Sequence, residues 1–125
     1  MSMKILLLVG LGGFAGSVLR YGVGLIFPNR VATGHFPWAT LAVNLVGCLL
    51  IGIFYGLAQR YSWFGQQARL LLITGLCGGF TTFSAFAYEG LALLQQGRVG
   101  LCAGYLGASV FIGLLLVWAG YALCK

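Results

Sequence analysis

"GLCGGFTTFSAF" (Gly75–Phe86) lies inside an apolar stretch that otherwise reads as a membrane-spanning helix. Gly78 and Gly79 loosen that helix, and Thr81, Thr82 and Ser84 bring hydroxyls to a depth where lipid offers no partner. Irregular backbone inside a bilayer survives only when it is buried in protein or lines a wet cavity. The stretch therefore predicts a third span that breaks near its middle and exposes carbonyls and amides that can act as ion ligands.

The surrounding chain supports this reading. Of its 125 residues 61% are hydrophobic and 6% charged, with a mean hydropathy of +1.02. A soluble domain carries about 25% charged residues, so this is an all-α integral membrane protein. A span needs about 20 apolar residues. Four stretches qualify, from about Met3 to Phe27, Trp38 to Leu57, Leu70 to Leu94 and Val99 to Leu123. Together they fill residues 1–125 as a single transmembrane domain. The first is longer than the ~7–15 apolar residues of a signal peptide and lacks a clear cleavage site. Trp38, Tyr61, Trp63 and Trp118 fall near span ends, as interfacial aromatics do. The pairs Gly12/Gly16, Gly52/Gly56 and Gly100/Gly104 have the small-x-x-x-small spacing that lets helix backbones approach closely.

Charge narrows the function. Seven basic residues against one acid give a net charge of +6, but the bases are scattered at span ends, where they anchor to lipid headgroups. With no basic patch, nucleic acid is not an expected partner. Four spans place Lys4, Arg60, Arg69 and Lys125 on one side of the membrane. Arg30 and Arg98 fall on the other, with Arg20 near that end. The bias is weak, and a near-balanced chain can insert both ways up. Four short helices enclose a lumen poorly, so a homodimer is expected, and an antiparallel one is compatible with the charges.

Few polar groups lie within the spans. Asn44 either bonds to a neighbouring helix or turns its amide donors toward a ligand. Tyr105 and Ser109 share a face of the fourth span, as packing glue or as a track of donors, and Gly113 continues their line without a hydroxyl. Glu89, the one acid, either snorkels, pairs with an arginine such as Arg20, or serves transport. Phe80, Phe83 and Phe86 recur every three residues, a spacing typical of packing, although ring edges carry positive potential that an anion can meet. Cys48, Cys77, Cys102 and Cys124 lack metal-site spacing and read as small apolar residues. His35 sits in a connector with no nucleophile–base set around it, so an enzyme is not expected.

In sequence order, "GGFAGSVLRY" (Gly12–Tyr21), "TLAVNLVGCLLIG" (Thr40–Gly52), "GLCGGFTTFSAF" and "GYLGAS" (Gly104–Ser109) resemble the bacterial fluoride channels of the Fluc (CrcB) family. The resemblance covers the whole chain, and its third motif is the most specific. It implies a dual-topology, antiparallel homodimer in the bacterial inner membrane, with two fluoride pores and a break in each third helix. It implies a structural sodium ion at the two-fold axis, held by the carbonyls of Gly78 and Thr81. It maps the pore asparagine to Asn44, the pore rings to Phe83 and Phe86, and the polar track to Tyr105 and Ser109. The first-span arginine maps to Arg20 and the third-span acid to Glu89; Phe80 receives no pore role. Fluoride is small and strongly hydrated, so its path needs dense neutral donors, which Asn44, Thr82, Ser84, Tyr105 and Ser109 can supply. Passive flux is the expected mode, because a pore must not bind its ion too tightly. The alternative is a small four-span, proton-coupled multidrug exporter, which needs a glutamate in its first span; this chain has none there.

Overall fold

The computed structural model describes residues 2–27 and 33–125. Arg30, expected at the membrane end shared with Arg98, lies outside the described residues, as does the rest of 28–32 in the first connector. All regular structure among the described residues is helical. Helix α1 spans Met3–Ile26, α2 Trp38–Arg60 and α6 Val99–Cys124. The third span, Gln66–Gln95, is composite. Its pieces are a turn α3 (Gln66–Ala68), a π-helical segment (Arg69–Cys77), a turn α4 (Gly78–Phe80) and helix α5 (Phe83–Gln95). Each of the four spans is long and apolar enough to cross a membrane. The second and third spans are a few residues longer than hydropathy implied, because Gln59, Arg60, Gln66 and Gln67 extend helical backbone past the apolar run.

Local chemistry sets the ends. Ser2 caps α1, its Oγ accepting from the Ile5 N–H at 3.2 Å. Pro37 precedes α2, where its missing donor costs nothing. Gly97 takes φ +75°, and the Arg98 N–H reaches back to the Leu93 carbonyl at 2.8 Å, a left-handed glycine closure of α5. At the start of α5 the Thr82 Oγ accepts from the Ala85 N–H at 3.2 Å. Thr82→Val should cost about 1 kcal/mol of stability, the usual worth of an N-cap, while Thr82→Ser should keep it. Thermal unfolding in detergent measures both.

Two tight helix pairs build the bundle: α2 against α6, and α1 against the π segment and α4. Both rely on glycine. A Cβ on Gly56 would stand 2.8 Å from the Tyr121 carbonyl oxygen, and one on Gly120 would stand 2.6 Å from that of Leu49. Across the other seam, a Cβ on Gly75 would lie 2.9 Å from the Gly12 Cα, and one on Gly79 an equal 2.9 Å from the Gly13 Cα. Of the expected close-approach pairs, Gly12/Gly16 and Gly52/Gly56 serve these seams. Gly100 and Gly104 do not, since both face open space within the protomer.

The glycine pair at 78–79 is itself helical. Gly78 has φ −62° and ψ −38°, and the extended residues are Thr81 (ψ 160°) and Thr82 (φ −149°, ψ 121°). Gly79 is there for close approach to α1. Gly78 meets nothing closer than 3.9 Å, so no contact within the protomer requires it to be glycine.

A small core of Leu41, Leu93, Cys102 and Tyr105 closes one end of the bundle. Most other large apolar side chains face outward, as a lipid-facing surface requires.

Candidate functional site

The two extended residues strip helical bonds from their neighbours, and side chains replace them. The Thr82 N–H, which would otherwise close a bond to the Gly78 carbonyl, donates to Asn44 Oδ1 at 2.9 Å. Asn44 Nδ2 returns a bond to the Thr82 carbonyl at 3.1 Å. Asn44 thus holds both polar backbone groups of Thr82 across 38 residues of sequence. The Ala85 N–H, the helical partner of the Thr81 carbonyl, is taken by the Thr82 Oγ. Arg20 Nε donates to the Gly79 carbonyl at 3.2 Å, and both the Thr81 N–H and its hydroxyl converge on the Cys77 carbonyl. Diverting these donors leaves the carbonyls of Gly78 and Thr81 without their usual helical partners. That is the chemistry a bound cation needs from backbone oxygen.

Beside this segment is a cavity of about 440 Å³ between α2, α6 and the third span. Its walls include Asn44, Cys48, Thr74, Cys77, Gly78, Thr81, Thr82, Phe83, Phe86 and Ser109. The rings of Phe83 and Phe86 stand 5.9 Å apart at 51°. The buried Ser109 Oγ has no hydrogen-bond partner among the described residues. Such orphans are rare in folded proteins and point to a missing ligand or water. Asn44 keeps a second Nδ2 proton, and the Thr82 hydroxyl, which only accepts from Ala85, keeps its own. The cavity therefore offers neutral donors and ring edges, and among the described residues no charged side chain lines it.

A second cavity, of about 490 Å³, lies toward the end of the bundle that carries Arg98; Arg20, Tyr21, Thr40, Thr82 and Glu89 line it. Thr82 lines both cavities.

Seven of the residues singled out in the sequence meet at the first cavity: Asn44, Gly78, Thr81, Thr82, Phe83, Phe86 and Ser109. Two expected donors do not. Ser84 is exposed in the first turn of α5, swung away from the face that Phe83 and Phe86 share. Tyr105 is fully buried behind Phe86, ring centroids 5.0 Å apart, and its hydroxyl bonds to Glu89 Oε1 at 3.2 Å. Glu89 is 3% exposed, so it turns into the bundle instead of snorkelling, because Tyr105 offers its carboxylate a donor there. Arg20 and Glu89 share the second cavity, and the bond Arg20 makes to Gly79 ties the first span to the third. Thr74, Cys48 and Cys77 were not singled out as lining residues. The signal for Cys48 was its helical spacing, one turn beyond Asn44.

Known proteins match this sequence along nearly its whole length. Residues 7–121 match the family described as "CrcB-like protein, Camphor Resistance (CrcB)". A protein of Flavobacterium psychrophilum named "Fluoride-specific ion channel FluC" is 44% identical over 98% of this chain and 98% of its own. One of the same name from Thermus thermophilus is 49% identical over 97% of this chain and 95% of its own. Another, from Methylobacillus flagellatus, is 44% identical over 95% of this chain and 93% of its own.

Proposed function

We infer the function from the premise that this chain belongs to the CrcB family. It is a fluoride channel, a multi-pass protein of the bacterial inner membrane and not an enzyme. It passes the ion passively, in the direction that relieves fluoride accumulated in the cytoplasm.

The observation that carries this reading is the orphaned Ser109 Oγ in a cavity of neutral donors. A dehydrating anion needs hydrogen bonds, and Ser109, Thr82 and the free proton of Asn44 supply them. The edges of Phe83 and Phe86 add positive potential without a formal charge. Conduction requires sites that attract the ion and still release it, and neutral donors meet that need better than a lysine or arginine in the wall.

The finer assembly follows the same logic. Phe83 is 78% exposed in one protomer, directly beside the extended residues. A second copy of the chain, antiparallel to the first, covers that ring and completes two pores. The carbonyls of Gly78 and Thr81 from both chains would hold a sodium ion at the two-fold axis. The diversion of the Thr82 and Ala85 N–H donors supports that assignment. Such an ion is structural and lends positive potential to both anion paths.

Purified protein in fluoride-loaded liposomes tests the reading. With a potassium ionophore as charge shunt and no proton gradient, fluoride should leave rapidly and chloride should not. Flux should persist in sodium and fall after exhaustive sodium removal, with lithium or potassium substituting poorly. Flux that appears only with a proton gradient would favour the exporter instead.

A further inference from the structure

A third cavity, of about 560 Å³, lies between α2, α6 and the start of the π segment. Its walls continue those of the first cavity by one helical turn on every side. Ile51 of α2 gives way to Tyr55, Val110 of α6 to Leu114, and Ile73 of the π segment to Arg69. Three walls advancing in the same direction set the two cavities end to end along α2, α6 and the third span, with no lining residue in common. The groove they outline runs from the Ser109 site toward the membrane end where α2 and α6 finish.

The mouth of the groove is positive. Arg69 lines it beside Gln59 and Tyr121, and the Lys125 Nζ lies 5.7 Å from the Tyr121 ring centroid. Among the described residues no acidic side chain stands near Arg69, since Glu89, the one Asp or Glu of the sequence, is buried beside the second cavity. Arg69 is exposed, so it stays hydrated and does not hold an ion as a buried charge would. Further in, no charged side chain among the described residues lines the groove.

We propose that this groove is the outer limb of the fluoride path and that Arg69 is the electrostatic steering residue at its mouth. The proposal rests on the channel reading above. A charge at the end of a low-dielectric cleft raises the local concentration of its counter-ion and the rate of arrival, by about tenfold or more in favourable cases. Because Arg69 stands outside the uncharged inner cavity, it hastens arrival without slowing departure. Steering of this kind is screened once the Debye length shrinks from about 30 Å at 0.01 M salt to about 3 Å at 1 M.

The full chain in liposomes provides the test, with flux measured at low and at saturating fluoride while sodium isethionate is raised from low to high concentration. At low fluoride, wild-type flux should fall several-fold as salt rises. Arg69→Gln should lower the low-salt flux about three- to tenfold and flatten the salt dependence, as loss of a steering charge does. Flux at saturating fluoride should stay within about twofold, because steering acts on arrival and not on passage. Arg69→Lys should restore the wild-type profile, which a purely structural arginine would not allow. Should Arg69→Gln fail to fold, Gln59→Glu should depress low-salt flux and Gln59→Lys should raise it, with Arg69 intact. A salt dependence that neither Arg69→Gln nor the Gln59 pair alters would overturn the steering role and leave the channel reading standing. A wild-type protein without fluoride flux at any salt overturns the channel reading, and this proposal with it.

Discussion

Asn44→Leu is expected to reduce fluoride flux at least a hundredfold. The leucine fits the space but leaves the Thr82 N–H and carbonyl without the bonds they make to Asn44 at 2.9 and 3.1 Å. Each buried backbone group without a partner costs roughly 1–3 kcal/mol by protein mutational measures. The pair therefore forfeits enough to redraw the backbone between Phe80 and Phe83, and Phe83 and Ser109 lose their register on the cavity. One donor to the anion disappears at the same time. Asn44→Asp separates the two effects: a carboxylate still accepts from the Thr82 N–H but opposes its carbonyl and repels fluoride. That variant should keep more thermal stability than Asn44→Leu while conducting equally little. Flux in liposomes and unfolding in detergent measure the two consequences independently. Wild-type flux in both variants would reduce Asn44 to a packing residue.

Gly79→Val should prevent assembly of the bundle altogether. The added Cβ alone would approach the Gly13 Cα to 2.9 Å, and that neighbour is backbone and cannot rotate away. Relief requires α1 to move off the third span, which also draws Arg20 from the Gly79 carbonyl. Overpacking of this kind costs about 1–3 kcal/mol where side chains can yield, and more where only backbone is present. Gly78→Ala is the control within the same pair, since a Cβ there meets nothing closer than 3.9 Å in the protomer and the residue is already helical. Size-exclusion profiles in detergent should show Gly79→Val aggregated and Gly78→Ala folded. Any loss of flux in a folded Gly78→Ala then reports on what faces Gly78 from outside the protomer. Equal behaviour of the two variants would contradict the close-approach account.

The spans and the family were legible without coordinates, the ends of the second and third spans only to within a few residues. Hydropathy sums over some 20 residues and the bilayer fixes the length, so single-residue ambiguities average out. The cluster at the cavity was legible too, through the motifs at Asn44, Thr81–Phe86 and Ser109. Less legible was the division of work within "GLCGGFTTFSAF". Glycine suggests loosened backbone wherever it occurs, yet Gly79 serves contact with Gly13, while the extended dihedrals fall on Thr81 and Thr82, residues well suited to extended backbone.

Hydropathy and the four motifs suffice to identify a four-span membrane protein of one family, whose polar residues inside the spans are few enough to name. How those residues are used depends on the packing of the helices. That packing turned Tyr105 to Glu89 and away from the cavity, left Ser84 outside, and gave Asn44 the bracing of Thr82. The reason is physical. A soluble helix advertises its inner face by amphipathicity, but lipid is as apolar as a protein core, so a spanning helix carries apolar residues all round. Which face meets protein is then set by close backbone approach and by hydrogen bonds between residues distant in sequence, such as Asn44 and Thr82, and those exist only once the helices have packed.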